Sequence, residues 1–584
     1  MTATDFGRIP LTIVEIDQQQ CTLDYGVGAC GAVVGVTGTR KCYNTLATCQ
    51  FKSAYVETPI TLRFAKSHAD IPIDNYIIPS LRAIKTSPTR INIGGRKNRD
   101  APLGRRAEIS VTFKDHPHSD IIVDKYVDER THDPFSTGTF WAKWLKRNPY
   151  YNNWAIRIKE GYVGESLTEM NTRHYIIEKI NGPDSKGNVT IKGFDILRRA
   201  DGDKAKAPEL SPGKLFSGIS AGAATLTVTS ASLTDYTGYS ANVLRINEEV
   251  IRYTAVTENS EGNLVFTGLT RGTDGTEAQT HDADDTVQAC IEYVNAEPWA
   301  VVQDLFINSS GIDPSYINYT DWTTEATTWL GGMTVSRLLT EPEGVDKLVG
   351  ELCEQCSMFV WWDEIDQEIK LRTIHPAIGE IPLITEDLSL LQNEASIKER
   401  PELRASEVWV SFHPRNQILD LSKRESYRQT IARIAAENPY SERRVYEVMS
   451  PWLDIEAQVD LLTFRILARY RNPPKYLSFA LDPKDRHLRV GDPFDIEYRG
   501  FVDDLGEIEP QRYQVISAHE SPPGEKIIYE AQKFDYAIDF KAAFWMIDAA
   551  PIYSLASETE KTTGGFWAND DGRMNNGDQG YVWS

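Results

Sequence analysis

The chain is organised around the stretch Cys21-Thr-Leu-Asp-Tyr-Gly-Val-Gly-Ala-Cys30, which continues through 31–41 to Cys42-Tyr-Asn-Thr-Leu-Ala-Thr-Cys49. Four of the seven cysteines therefore fall within 29 residues. Glycines around the first pair let the backbone bend without a Cβ penalty. Four thiols on such a loop can hold a zinc ion or an iron–sulfur cluster, form two disulfides, or remain free and buried.

The spacing of these cysteines narrows the choice without settling it. The intervals are eight, eleven and six residues. Structural zinc sites usually draw their ligands from C-x2-4-C pairs, so this is a poor zinc pattern. An iron–sulfur cluster is larger and tolerates wider intervals, but the spacing matches none of the common ferredoxin runs. The residues alone leave a cluster, disulfides and free thiols open.

The two outer intervals, with Asn44-Thr45 inside the second pair, resemble the cysteine domain of tail-tip minor proteins of lambdoid phages. That resemblance implies a [4Fe-4S] cluster, with zinc as the alternative, bound by Cys21, Cys30, Cys42 and Cys49. The segment 123–165 and much of the remaining chain resemble a tail protein of siphophages that infect Proteobacteria.

The length and the net charge of the chain limit the classes of protein to which it can belong. A chain of 584 residues should hold three to five domains. Its net charge of −22 argues against a nucleic-acid binder, which would be basic. Neither a signal peptide nor an apolar run of membrane-spanning length is visible, so we expect synthesis in a cytoplasm, where thiols stay reduced. This makes the disulfide interpretation less favourable.

The pattern along the chain predicts a mostly β, multidomain fold with α+β regions, β-barrel or sandwich modules and a small inserted all-β domain. The resemblance implies that the larger domains are hub domains and that the N-terminal loop carries a four-cysteine cluster. The predicted domains are 1–55 (iron–sulfur cysteine domain), 56–204 (β-rich hub domain), 214–293 (inserted all-β domain), 296–400 (α+β hub domain), 401–556 (β-rich hub domain with one helix) and 557–584 (flexible tail that orders only on a partner, if at all).

Several helices are expected from their start and stop signals. A short helix in the stretch that begins at residue 138 should end before Pro149, and another should start at Pro298. A capping box at 340–343 and an Asp454 cap are expected to open two more helices, the second ending at Arg471. Cys353 and Cys356 lie on the apolar stripe of the third helix, so we expect them, like Cys290, to be buried core residues rather than a redox pair.

The inserted domain carries the run Leu269-Thr-Arg-Gly-Thr-Asp-Gly-Thr-Glu-Ala-Gln-Thr-His281. It resembles a signature of small β-domains inserted in tail proteins. A phosphate-binding loop is the alternative, but the run lacks the Lys-[Ser/Thr] ending and the strand-to-helix context that such loops require.

The resemblance implies a structural subunit of a phage tail tip, the baseplate hub, which closes the tail tube and joins it to receptor-binding components. It implies a homotrimer in contact with other tail proteins: the distal tail ring, the tape measure, and the central fibre or receptor-binding proteins. The expected location is the virion tail tip, after assembly in the bacterial cytoplasm. We expect no enzyme activity and no sequence-specific nucleic-acid binding. A tail-associated receptor- or glycan-binding protein and a cell-wall-degrading tail enzyme are the alternatives.

Overall fold

The computed structural model describes residues 9–66, 76–93, 103–130, 133–237, 241–375, 381–387, 389–391, 394–435, 439–482, 487–521, 526–533 and 557. Its regular structure is mostly β and is divided among several sheets, which confirms the predicted mostly β, multidomain fold. The predicted C-terminal tail lies outside the described residues except for Ser557. No helix in the described ranges has both the length and the apolar character needed to cross a membrane.

An eight-stranded sheet forms the first module, with strands β1 Pro10–Cys21, β2 Glu57–Phe64, β3 Ile77–Ile78, β4 Leu81–Ser87, β5 Glu108–Lys114, β6 Ala155–Tyr162, β7 Asn171–Asn181 and β8 Asn188–Phe194. The strand order is β3-β2-β1-β6-β7-β8-β5-β4. The two edges meet at Ala65, whose N–H donates to Ile78 O (3.1 Å) and whose carbonyl accepts from Leu81 N–H (3.0 Å). The sheet therefore curves into a barrel.

A helix, α1 (Phe140–Arg147), fills the interior of this barrel. Trp141 is fully buried, and its ring centroid lies 5.3 Å from that of Phe64 on β2 and 4.9 Å from that of Phe113 on β5. Alternate residues of β2, β5, β6 and β8 face the same core, as their polar–apolar alternation predicts. The expected short helix before Pro149 is confirmed.

Strand β1 shows that the N-terminal boundary of the cysteine region differs from the one predicted. Its residues pair with β2 on one side and with β6 on the other, both antiparallel. The predicted domain 1–55 is therefore not a separate unit, because hydrogen bonds place residues 10–21 inside the barrel sheet. Only the connecting segment 22–56, called here the cysteine loop, lies outside it.

After β9 (Lys206–Ala207), residues 214–289 form two small sheets around their own core. One sheet has the order β10-β11-β15-β14 and the other β13-β12-β16. The chain enters and leaves this module side by side, since Val287 N–H donates to Gly213 O (3.1 Å). Its elements are β10 Lys214–Leu215, β11 Thr225–Thr229, α2 Thr234–Thr237, β12 Val243–Ile246, β13 Glu249–Arg252, β14 Ala255–Glu258, β15 Leu264–Thr267 and β16 Val287–Ala289.

The following α+β region packs three helices and a hairpin around the largest core cluster. Strand β17 pairs with β18, β19 pairs with β9, and β20 pairs with β21. The predicted hairpin of residues 358–372 is confirmed. The elements are β17 Ile291–Ala296, α3 Pro298–Asp304, α4 Tyr319–Trp329, β18 Val335–Leu339, β19 Glu343–Gly344, α5 Val345–Gln355, β20 Met358–Asp363 and β21 Glu368–Thr373.

Two sheets and one helix complete the described chain. A six-stranded sheet has the order β22-β28-β29-β30-β27-β23, and a three-stranded sheet, covered by α6, has the order β25-β24-β26. The elements are β22 Leu383–Thr385, β23 Ser396–Glu399, β24 Glu407–Pro414, β25 Tyr427–Ile434, β26 Val445–Met449, α6 Glu456–Tyr470, β27 Lys475–Leu481, β28 Pro493–Glu497, β29 Gln511–Glu520 and β30 Ile527–Lys533.

The two predicted helix caps are wrong, although both helices exist. Helix α5 begins at Val345 after Gly344, and Glu343, on the β19 strand that pairs with β9, instead accepts from Arg337 on β18 (2.6 Å). Helix α6 begins at Glu456, and the Asp454 side chain makes no capping bond to it. In both cases a tertiary partner or a shifted start removed the local cap that the sequence pattern indicated.

Candidate metal centre

The cysteine loop joins two neighbouring strands at one end of the barrel. Cys21 is the last residue of β1 and lies opposite Glu57, the first residue of β2. Thr22 N–H donates to Val56 O (3.0 Å) and closes the base of the loop. Between these ends the loop contains two short 3-10 turns, at Leu46–Thr48 and Lys52–Ala54. Its conformation therefore depends on side-chain contacts rather than on helices or strands.

The loop has little apolar core of its own. Its buried cluster consists of Tyr25 and Ala32, completed by Tyr126 from the barrel, with Cys30 and Cys42 packed against them. Tyr25 N–H donates to the Tyr126 hydroxyl (2.7 Å). Five valines of the loop are exposed, the most extreme being 80% accessible: Val27, Val33, Val34, Val36 and Val56. Burial of apolar surface therefore contributes little to holding this segment in one conformation.

The loop brings the four predicted cysteines into one neighbourhood. All four are free thiols and half-buried. Burial raises the pKa of Cys42, and the nearby thiols of Cys49, Cys30 and Cys21 raise it further, against the opposing hydrogen bond from the Asn44 backbone. Each of the other three sulfurs is thus close enough to Cys42 to act on it electrostatically.

A second titratable group shows which thiols lie on the same side of the loop. Burial raises the pKa of Tyr55, followed in effect by the Glu57 carboxylate and the thiols of Cys21 and Cys49. Cys30 and Cys42 pack instead on the Tyr25 cluster. Cys21 and Cys49 therefore lie near Tyr55, and Cys30 and Cys42 lie beside Tyr25.

The arrangement is not that of a preformed zinc site. In the described ranges, no group of three or more His, Cys, Asp and Glu residues is placed to hold a metal ion. A zinc ion would draw four sulfurs to about 2.3 Å from one point. The donor set itself, four thiols without a carboxylate or imidazole, is that of a zinc or iron–sulfur site.

Asn44 fixes the backbone between the two halves of the loop. Its carbonyl accepts from Cys21 N–H (2.7 Å), and its side-chain amide donates to Cys21 O (3.3 Å) and Leu23 O (3.2 Å). Asn44 adopts a positive φ of 55°, which Asn tolerates better than most residues. These bonds hold Cys42 and Cys21 together and give the Asn-Thr dipeptide a structural purpose.

Two arginines outside the cysteine loop hold it against the barrel. The spacing of the cysteines does not predict these contacts. Arg130 donates to Cys42 O (2.8 Å) and Lys41 O (3.1 Å) and is held by Asp124 (2.5 Å). The Tyr43 ring lies 4.0 Å from the Arg130 guanidinium carbon. The Arg147 guanidinium carbon, from α1, lies 3.9 Å from the same ring. We call Tyr43, Arg130 and Arg147 the arginine clamp.

The remaining cysteines do not belong to this site. Cys290, Cys353 and Cys356 are buried in hydrophobic clusters, as predicted. Burial raises the pKa of Cys353 to about 12. The C-x-x-C pair on α5 is therefore in the thiol form and is part of the core.

The 269–281 run also has a structural explanation. Its Arg271 donates twice to the fully buried Glu249 carboxylate (2.8 and 2.7 Å), and Gly272 N–H and Gln279 N–H donate to the same group (2.9 and 3.0 Å). His281 Nε2 lies 2.7 Å from it. The loop thus wraps an internal carboxylate, and this accounts for its polar residues without a bound phosphate.

Comparisons with known proteins give structural neighbours only. No protein-family profile matches the sequence, and no curated protein matches it. The chain is similar in structure to a 43 kDa tail protein of prophage MuSo2 from Shewanella oneidensis, with 8% identity, a TM-score of 0.37, and coverage of 78% of this chain and 98% of the other. It is similar to a tail protein from Neisseria meningitidis, with 9% identity, a TM-score of 0.37, and coverage of 78% and 99%. A prophage tail protein from Listeria monocytogenes shows 11% identity, a TM-score of 0.29, and coverage of 66% and 86%.

Proposed function

We propose that the chain is a structural subunit of a phage tail tip, where it acts as a baseplate hub protein that closes the tail tube and connects it to receptor-binding components. The observation that carries the proposal is the cysteine loop: four thiols gathered on a barrel edge in a segment with almost no core. The spacing of the four cysteines in the sequence, which resembles that in tail-tip minor proteins, supports the same function.

The proposal includes a metal centre with Cys21, Cys30, Cys42 and Cys49 as ligands, a [4Fe-4S] cluster in the first instance and zinc as the alternative. The bound group would supply strong sulfur–metal bonds that cross-link the loop and add to its folding free energy. Other residues of the chain position the ligands. Asn44 donates a hydrogen bond to the Cys21 carbonyl, and Arg130 binds the Cys42 carbonyl and brings a positive charge near the thiolates. The role assigned to the site is structural, not catalytic.

Metal analysis of protein purified without oxygen tests the centre. We expect a brown protein with broad visible absorbance and with iron and acid-labile sulfide in nearly equal amounts. Cys42→Ser should lose the colour, and Cys290→Ala, which removes a buried thiol outside the loop, should retain it. A colourless wild-type protein with one zinc per chain would replace the cluster with a zinc site, and one without metal would remove the centre from the proposal.

The assembly role requires a separate test. We expect the purified chain to have the mass of a homotrimer, as the resemblance implies, and virions labelled at the C-terminus to carry the label at the tail tip. Phage carrying Cys42→Ser should fail to form normal tails. Finding the chain absent from purified particles, or finding normal tails with Cys42→Ser, would refute the structural function.

A further inference from the structure

The outermost strand of the three-stranded sheet runs along an open groove. Strand β26 pairs with β24 on one side, and no described strand pairs with it on the other. A cavity of about 480 Å³ lies there and is lined by all five residues of Val445–Met449. Such a volume falls within the range of about 300–1,000 Å³ typical of ligand clefts.

The backbone of β26 offers hydrogen-bonding groups to this groove. Arg444 O accepts from Glu407 N–H (3.1 Å), and Ser450 N–H donates to Ser411 O (2.8 Å). Because backbone groups alternate along a strand, the even-numbered residues face β24, and Val445, Glu447 and Met449 direct their N–H and C=O groups to the groove.

One of these outward-facing backbone groups, the Met449 carbonyl, already accepts a hydrogen bond. The Gln355 side chain, from α5, donates to Met449 O (3.4 Å). Within the described part of the chain, no hydrogen bond reaches the outward backbone groups of Val445 or Glu447. An exposed strand edge of this kind is a template for pairing with another chain.

The walls of the groove are strongly acidic. Two cations line it, and both are engaged internally: Arg337 with Glu343 (2.6 Å) and Glu351 (2.6 Å), and Lys347 with Glu343 (2.5 Å). Arg245 and Lys423, outside the lining, pair with Glu341 (3.0 Å) and Asp420 (3.5 Å). The carboxylates of the groove outnumber these cations, which leaves it with excess negative charge: Glu341, Glu343, Glu351, Glu354, Asp420 and Glu447.

The occupant is not a metal ion, since the described carboxylates form no metal-holding group of three. A second copy of this chain suits the groove less well, because the groove calls for cations and the chain carries 84 acidic against 62 basic side chains. Charge complementarity points to a basic partner, and the five-residue length of the edge, about 16 Å at 3.3 Å per residue, points to an extended one.

We propose that this groove binds an extended, Lys- or Arg-containing segment of a partner polypeptide, which adds to β26 as an extra strand. Its backbone bonds to the outward groups of Val445 and Glu447. Its basic side chains pair with Glu354 and Glu447, which both line the groove. Main-chain bonds supply affinity in this mode of recognition, and side-chain pairing supplies specificity.

Three fluorescent peptides and the full-length protein test the proposal. The first is an alternating Val-Lys heptapeptide. The second has the same side chains but N-methyl groups on alternate amides, so that it keeps the charge and loses the strand bonds. The third has Glu in place of Lys. By fluorescence anisotropy at 0.15 M salt we expect the first to bind, the second to bind about tenfold more weakly or worse, and the third not to bind.

Variants of the protein complete the test. Glu447→Pro removes one outward N–H, a change that an edge strand tolerates, and should weaken binding of the Val-Lys peptide about tenfold. Glu447→Gln keeps that N–H and loses only the charge, so we expect a smaller loss, about threefold. If the proline variant fails to fold, Glu354→Gln provides the charge test, because it preserves the hydrogen bond from Tyr446.

Equal binding of the methylated and unmethylated peptides would overturn strand addition. Binding of the Glu peptide as strongly as the Lys peptide would overturn the basic partner. Sedimentation of the full chain adds one more outcome: a concentration-dependent dimer that Glu447→Pro abolishes would make a second copy the occupant and refute the proposal.

Discussion

Tyr43 connects the candidate metal centre to the barrel at the scale of a single side chain. It follows Cys42 directly, and its ring contacts two guanidinium groups that belong to different parts of the barrel. Arg147 is itself fixed by Asp120 (2.8 Å) and Arg130 by Asp124 (2.5 Å), so the ring meets two positioned cations. A cation over an aromatic ring contributes about 0.5–2 kcal/mol, depending on how far it is desolvated.

We therefore expect Tyr43→Ala to release the cysteine loop while the barrel stays folded. The free energy of local opening should fall by about 1–3 kcal/mol, from the loss of two cation–ring contacts. Hydrogen–deuterium exchange of residues 22–56 measures this directly. Tyr43→Phe keeps the ring and serves as the control, and equal exchange in the alanine variant and the wild type would show that the clamp does not hold the loop.

Glu249 sets the stability of the inserted module. Burial favours its neutral form, but the Arg271 guanidinium and the backbone N–H groups of Gln279 and Gly272, together with His281, outweigh burial and hold the pKa of Glu249 below its usual value. Glu249→Gln leaves Arg271 without its charged partner, and we expect a loss of about 3–5 kcal/mol. Thermal unfolding monitored by a probe in this module checks the value, with the exposed neighbour in Glu248→Gln as a control that should change little.

The same carboxylate gives a pH dependence of definite sign. A carboxyl group whose pKa is lowered by folding stabilises the native state above its unfolded pKa, about 4.3 for Glu. That stabilisation should be lost as the pH falls below this value and through the folded pKa. Unfolding midpoints between pH 7 and pH 3 should show the loss in wild type, and its persistence in Glu249→Gln would assign it to other groups.

At the scale of elements, the β20–β21 hairpin is bound to the barrel by its turn. Glu364 pairs with Arg173 on β7 and accepts from the Tyr175 hydroxyl (3.1 Å). Trp362 Nε1 donates to His174 O (3.1 Å). Arg173 also pairs with Glu160 (3.0 Å), so a single arginine, with 13% of its side chain exposed, pairs with two carboxylates from two modules.

Glu364→Ala should separate the hairpin from the barrel. Removing one partner of a buried ion pair costs about 3–5 kcal/mol, because the remaining charge loses compensation. We expect faster hydrogen exchange in residues 171–177 and 358–373. Glu368→Ala, on the same hairpin, breaks only a pair with Lys370 and should cost less than about 1 kcal/mol. Similar effects of the two substitutions would contradict the assigned role of Glu364.

Element positions were more predictable than their ends. Helices α1, α3 and α5 and the β20–β21 hairpin follow from apolar periodicity, which tertiary packing only reinforces. The predicted cap of α5 was wrong because Glu343 instead pairs with Arg337, a residue of another strand. A local pattern cannot report such a competing partner.

At the scale of the whole molecule, the module of residues 214–289 is an insertion whose ends lie side by side. Replacing residues 214–286 by a short glycine–serine linker should leave the other modules folded. Stability should fall modestly, since Leu338 and Ile418 pack on Val243 and Val250 of the module and would be uncovered. Circular dichroism and gel filtration measure the result. Aggregation or loss of the folded barrel would show that the module is required for the core.

The same deletion in phage separates the two non-enzymatic functions. If tails assemble but adsorb poorly, the module contributes receptor or glycan binding. If tails fail to assemble, it is structural. This measurement is independent of the metal content of the cysteine loop, so either outcome can be interpreted whatever the metal analysis finds.

The candidate ligands could be predicted from the sequence, but the residues that surround them could not. Cysteines are rare, and their clustering between 21 and 49 is visible without a structure. The clamp is not visible, because Arg130 is 88 residues from Cys42 and arginines are common. The groove beside β26 was likewise missed, since its walls come from 337–354, 417–422 and 445–451, which only the fold brings together.

The position of the cysteine loop between two paired strands has an evolutionary consequence. Because Cys21 and Glu57 are held opposite each other by the sheet, the segment between them can lengthen or shorten while the barrel keeps its register. Each doubling of loop length adds only about 0.6 kcal/mol of closure entropy. Related proteins could therefore exchange this segment as a unit, and its gain or loss need not disturb the barrel beneath it.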